Sequence, residues 1–379
     1  MNAFKFFLGL HQDWLRENTT MPRNTIRSTR NRRLAALAAG TALALLAAPA
    51  SAQSLNALVW CDHADPELIR PFEQEHGVRV NLREYEGTAA GLAILQQSRP
   101  GDWDVLVIDA VDVHRAVDLD LLAPLPAEAL PTADFFPELV LEDLNTRDGI
   151  TYAVTEKFGY NTISYNRAAV DPVDMNDLSA LWSGRYDGRI AIYDYYLPVL
   201  GMLALNEGID TADLDAEALE RLRAPLLDLR ARSRQVGEVV ASQTALATGE
   251  VDILVGGGEW LTAVLAEENP DLDWTIPDQG AVLWAQSIAV LADSANPDLA
   301  LAFVQYITSP QGQARLATSS CYWGMPANIA AGTELTDEQR AILRWDEQDT
   351  FLTRAQRYPV PDAELDAAMQ DLWTDMLQN

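Results

Sequence analysis

The chain has 379 residues, 48% of them apolar, with 56 acidic against 27 basic side chains and a formal charge of −29. That length holds two domains of ordinary size. So large an acid excess repels phosphate backbones and anionic lipid, which argues against nucleic acid and membrane surfaces as partners and in favour of cations.

Residues 1–52 read as a leader rather than as part of a fold. Arg30, Arg32 and Arg33 form a basic cluster ahead of the apolar run Leu34 to Ala48, and Ala50-Ser51-Ala52 supplies a small-residue cleavage site. That order describes a secretory signal peptide; a membrane anchor would need roughly 20 apolar residues and no cleavage site. The expected mature chain begins at Gln53 and is exported. Removing the leader's 7 basic and 2 acidic residues leaves 20 basic against 54 acidic, a charge of −34, with Lys157 as the one lysine. Two cysteines, Cys61 and Cys321, in an exported chain are read as one disulfide.

Strand and helix signals then alternate. Short β-rich runs cover 56–60, 78–82, 105–108, 189–193 and 251–255, and a longer one covers 281–292. Helical patterns cover 66–75, closed by Gly77, then 88–97, 216–232 and 259–267. Asp215 is the expected N-cap of the helix at 216–232, which Pro225 is expected to kink or divide. Over 296–318, Pro297 opens a helix with Ala300, Leu301, Phe303, Val304 and Ile307 on one face, and Ser309-Pro310 stops it and starts a second. Strands separated by helices predict α/β layers with largely parallel sheets. No linker divides the chain, so it is expected to cross between two lobes more than once.

The stretch NALVWCDH at 56–63 ends a strand on four chemically loaded side chains. A metal site there lacks further ligands at a recognised spacing, since the other histidines after the leader are His76 and His114. No metal or cofactor is expected. Nor does the chain carry a G-x-S-x-G elbow, an H-E-x-x-H helix or a phosphate-cradling G-x-x-x-x-G-K-[ST] loop, so no enzyme is expected. Asp62 beside Trp60 offers a carboxylate and a π-face together, a sensible grip on an ammonium; the plainer reading is a solvated turn aspartate. Glu259 either contacts a ligand or favours the helix N-terminus it precedes. Lys157 either takes a ligand carboxylate or stands solvated.

Several motifs, in order, are similar to those of the periplasmic spermidine/putrescine-binding proteins, receptors of ABC importers. They are Leu55–Trp60 followed by Asp62; Gly77–Val80 through Tyr85-Glu86; Trp103-Asp104-Val105 with Ile108-Asp109; Lys157-Phe158-Gly159 ahead of Tyr165-Asn166; and Leu283–Ser287. The resemblance implies a two-lobe α/β periplasmic-binding-protein fold of the type II kind, with a hinge and an interlobe cleft. The expected division is 53–155 with 286–330 as lobe 1, and 156–285 with 331–379 as lobe 2. It implies ligand contacts from Trp60, Asp62, Asp109, Tyr195, Glu259, Trp260, Trp284 and Gln286, and places Cys61 near Cys321. The sequence also departs from the family: Tyr195, Pro198 and Gln286 stand where acids grip polyamine nitrogens. The expected function is a periplasmic receptor that captures a small amine, polyamine or related cation, and delivers it to an inner-membrane ABC permease. The alternative ligand is a zwitterionic amino acid derivative or opine. A monomer is expected.

Overall fold

The computed structural model describes residues 53–378; the leader expected over 1–52 lies outside them. No helix among the described residues is long and apolar enough to cross a membrane.

The first half alternates as its local signals dictate. Strand β1 (Ser54–Val59) leads through a 3-10 turn, Cys61–Ala64, into helix α1 (Pro66–His76). Asp65 caps that helix by accepting the Glu67 N–H, and Gly77 ends it at φ 63°, a left-handed turn that glycine adopts without a Cβ penalty. Strand β2 (Arg79–Glu84), helix α2 (Thr88–Gln97) and strand β3 (Val105–Asp109) follow. The 14-residue strand β4 (Ala153–Asn166) is buried over all but its last residue, and strand β5 (Ile190–Tyr193) precedes helix α3 (Tyr196–Asn206).

Helix α4 (Ala216–Arg232) is capped by Asp215, which accepts the Ala218 N–H. Pro225 does not divide it. Interior proline costs a helix about 3 kcal/mol, but Leu222, Leu226 and Leu229 are wholly buried on one stripe of this helix, and each such side chain contributes roughly 2 kcal/mol by leaving water. Strand β6 (Ser233–Gly237), strand β7 (Ile253–Gly257), helix α5 (Glu259–Ala266), strand β8 (Leu272–Thr275) and strand β9 (Ala281–Val290) come next. Helix α6 (Pro297–Thr308) buries Ala300, Phe303, Val304 and Ile307, and helix α7 (Pro310–Ala317) starts where Ser309 accepts the Gly312 N–H. Helix α8 (Ala363–Gln378) closes the described chain.

The main sheet runs β2-β1-β3-β9-β4-β7-β5-β6. The expectation of largely parallel strands holds at its two ends, where β1 pairs with β2 and β3, and β5 with β6 and β7, and where the short strand Ala355–Arg357 joins the start of β9. Its centre is antiparallel: β9 runs against β3 and β4, and β4 against β7. The reason lies in β4 and β9, two long strands whose side chains serve two cores. Phe158, Tyr160, Leu283 and Ile288 pack with β1, β3 and α6, whereas Ile163, Tyr165, Val282 and Trp284 pack with β5, β7, α3 and α4. A third, smaller cluster, including Leu58, Leu106 and Ile108, covers the other face of β1 and β3. Of the last segment, Leu343, Trp345 and Phe351 pack in the first core, and Met369, Leu372 and Trp373 in the second.

Candidate functional site

Where the two long strands pass beside β3, the register lines up three polar side chains. Gln286 of β9 lies opposite Asp109 of β3 on one side and Lys157 of β4 on the other. Directly opposed residues share a face of a sheet, so Asp109, Gln286 and Lys157 form one row, with Trp284 and Gly159 the next pair along that face. Asp109, Trp284 and Tyr358 line the same narrow crevice.

The acid at one end of this row has no cation. Asp109 forms no ion pair among the described residues; burial, and then the neighbouring Asp112, push its carboxyl up to about 7 against the opposing help of Thr88. Burial raises Asp112 as well, with Thr88 and Arg115 opposing. Tyrosines surround the pair. Tyr193, Tyr195, Tyr196 and Tyr358 form an edge-to-face chain with ring centroids 5.9–6.1 Å apart, and the Asp109 charge adds to burial in raising the hydroxyls of Tyr193, Tyr195 and Tyr358.

The other end of the row is neutralised from within. The strand pairing slips between Gln286 and Ser287, leaving Glu156 as the extra residue of a bulge in β4. A bulge re-aims consecutive side chains, and here Glu156 and Lys157 both reach the turn that follows β1. Lys157 pairs with Asp62, and His63 joins Asp62 at 2.9 Å to Glu156 at 3.2 Å. All four side chains are wholly buried. Burial works against a charged ring, but Glu156 and Asp62 overcome it and push His63 up to about 10, so both ring nitrogens donate. Burial likewise opposes ionisation of Asp62, yet Lys157 and His63 hold its carboxyl well below the usual range. Burial pushes the Lys157 ammonium down and Asp62 opposes it; the quartet sets two acidic side chains against two basic ones.

Two sequence expectations change accordingly. Asp62 is not a solvated turn residue: it is wholly buried, and His63 and Lys157 hold its two oxygens. Lys157 is not solvated; its ammonium lies 3.9 Å from the centre of the Tyr322 ring. Cys61 and Cys321 are bonded, with Cα atoms 5.9 Å apart, which ties the turn carrying Asp62 to the loop carrying Tyr322.

The remaining candidates surround the row. Trp60 packs edge-on against Tyr85 at 6.4 Å and Trp284 against Tyr322 at 6.4 Å, while Trp260 lies tilted on Tyr193 at 5.3 Å. The Trp260 indole N–H, Gln286 Oε1 and Glu156 Oε1 are buried without hydrogen-bond partners, while Gln286 Nε2 contacts the Tyr322 hydroxyl. Glu259 lies wholly buried behind Gly159, its two oxygens accepting the Tyr160 N–H at 3.0 and 3.3 Å. Burial pushes it up to about 8 despite those bonds. Sequence reasoning missed Tyr193 and Tyr358, which no local signal separates from core tyrosines, and the role of His63, for which the adjacent acid was the available clue.

Comparison with known proteins agrees with this architecture. The chain is 25% identical over 309 residues to the spermidine/putrescine-binding periplasmic protein of Escherichia coli K12, covering 80% of this chain and 86% of that one. A spermidine/putrescine ABC transporter substrate-binding protein of Streptococcus pneumoniae superposes with a TM-score of 0.75 at 21% identity, over 86% of this chain and 99% of that one. The glucopine complex of a binding protein from A. tumefaciens B6 superposes at 0.66 and 15% identity, over 86% and 99%. These likenesses give the two-lobed α/β fold of periplasmic binding proteins. Residues 67–341 match the model of the bacterial extracellular solute-binding proteins, and the chain belongs to that family.

Proposed function

We propose that this protein is the periplasmic receptor of an ABC importer, capturing a small amine-bearing solute between two lobes and handing it to an inner-membrane permease. The observation that carries the reading is Asp109 with Asp112: half-buried carboxylates beside tyrosines, both raised by partial burial and Asp109 also by its neighbour, with no ion pair to Asp109 among the described residues. A buried acid without a counter-ion is costly, and a ligand ammonium, held by charge and by π-faces, removes the cost. The relatives named above, receptors for spermidine and putrescine, support the class. The lobes are 53–155 with 286–330, and 156–285; the segment 331–379, expected wholly in the second, is shared, since Leu343, Trp345 and Phe351 pack in the first core and Met369, Leu372 and Trp373 in the second. Strands β4 and β9 cross between the lobes, and ligand binding shifts the pair towards a closed form that the permease recognises.

A second reading, a zwitterionic amino acid derivative or opine, is favoured by Gln286. Its neutral amide stands mid-row where a second acid would demand a second cation, and the glucopine-bound neighbour shows the fold accommodating such a ligand. Thermal unfolding with putrescine, spermidine, 4-aminobutanoate and glucopine tests both. A ligand at 100 times its Kd stabilises by about 2.7 kcal/mol. If none of these raises the unfolding temperature, the receptor does not bind amines.

A further inference from the structure

We propose that Lys157 is a built-in occupant of one amine subsite, so that the receptor takes solutes with a single ammonium group and discriminates against diamines. The inference rests on the amine-receptor reading and narrows its ligand class.

An ammonium subsite needs a carboxylate, an aromatic face and exclusion of water. Asp62 and Tyr322 supply the first two, and both side chains of the Lys157–Asp62 pair are fully buried. The Lys157 ammonium already fills that place, over the Tyr322 ring and on the Asp62 carboxylate. The site is built around the lysine: a Cβ at Gly324 would stand 2.9 Å from its Cγ and Cδ, and Pro326 lies opposite it across the strand pair. His63 and Glu156 complete a group of two acids and two cations, so no net charge remains there to draw a second ammonium. A ligand nitrogen entering this place must displace one tethered to the same chain, whose effective concentration is on the order of millimolar or more.

The opposite end of the row differs. Among the described residues Asp109 forms no ion pair, and Gln286 alone separates it from Lys157 in the register. Neighbouring Cα atoms across strands lie about 5 Å apart, so the two ends stand about 10 Å apart along the sheet. A diamine anchored on Asp109 would bring its second charge towards an ammonium with no acid to spare. A solute with one ammonium meets a neutral amide, a tyrosine hydroxyl and a balanced ion pair instead.

Calorimetry on protein expressed from Gln53 compares putrescine with 4-aminobutan-1-ol, which replaces one ammonium by a hydroxyl, and with 4-aminobutanoate. The unaltered protein is expected to bind at least one of the single-ammonium probes tenfold or more tighter than putrescine. Lys157→Met opens the subsite and should tighten putrescine at least tenfold, reversing the order. Tighter binding of putrescine than of both other probes by the unaltered protein overturns the proposal and leaves the amine reading standing, as does a folded Lys157→Met with no gain for putrescine. Absence of binding by every amine to both forms overturns the two together. Should Lys157→Met not fold, amine acylation of the unaltered protein decides. Lys157 is the only lysine among the described residues, and it should resist acylation under native conditions both without ligand and with saturating putrescine. Ready modification in either state overturns the proposal.

Discussion

Asp109 has an ordinary value of 3.8 and stands at about 7 in the fold, raised first by burial and then by Asp112. Folding without ligand therefore takes up a proton between about pH 4 and 7, and in that window stability falls as pH rises, because the native state binds more protons than the unfolded one. A bound ammonium reverses the pressure by favouring the charged carboxylate, so binding should release a proton near pH 6.5. Affinity should rise with pH up to about 7, by no more than roughly tenfold per unit from this group. Glu259, at about 8, would add in the same direction only if the ligand reaches it. Calorimetry at pH 6.5 in phosphate and in Tris measures the released protons. Asp109→Asn should weaken an amine ligand by roughly tenfold to a hundredfold, the worth of a charged hydrogen bond, and should remove part of the buffer dependence. Identical proton release from both forms would show that Asp109 does not face the ligand.

Among the elements, β4 is the one whose packing is hardest to vary. Gly159 faces Trp284 across the strand pair, and a Cβ there would overlap both the Trp284 ring and the Glu259 Oε1 atom. Gly159→Ala should thus push the Trp284 ring from its place in the crevice it lines with Asp109 and cost ligand affinity more than it costs folding; an unchanged titration of tryptophan fluorescence would refute this. The disulfide acts between elements, joining the turn after β1 to the loop after α7 across 260 residues. In the chain-entropy view such a loop is worth about 5 kcal/mol, so Cys61→Ser with Cys321→Ser should lower the unfolding temperature by roughly 10 °C. Because the bond also holds Asp62 near Tyr322, the double variant should weaken the Lys157 anchorage as well. An unfolding temperature within a degree or two of the original would contradict the entropic account. These elements also mark how far the sequence could be read. Asp215 and Ser309 announced their helices because a cap acts within three residues, and the cysteine pair was legible from its count. The row Asp109–Gln286–Lys157 was not, since strand register joins positions 177 and 129 residues apart. Nor was the burial of Lys157, which depends on a bulge at Glu156 that no local pattern marks.

For the whole molecule, the charge of −34 over residues 53–379 and the buried quartet act over different distances. The quartet sets which ligand stays; the surface acids set how often a cation arrives. At 10 mM salt the screening length is about 30 Å, comparable to the molecule, and at 150 mM it is about 8 Å. The field of 54 acids should therefore draw cations strongly in the first condition and weakly in the second. A zwitterion carries no net charge and experiences little of this attraction. Stopped-flow tryptophan fluorescence, reporting through Trp60, Trp260 and Trp284 packed on Tyr85, Tyr193 and Tyr322, gives the association rate directly. Between 10 and 150 mM salt the rate for 4-aminobutan-1-ol should fall several-fold and that for 4-aminobutanoate should change little, while dissociation rates, governed by buried contacts, stay nearly constant for both. Equal falls for the two would mean that the surface charge serves solubility alone and that capture is decided wholly within the cleft.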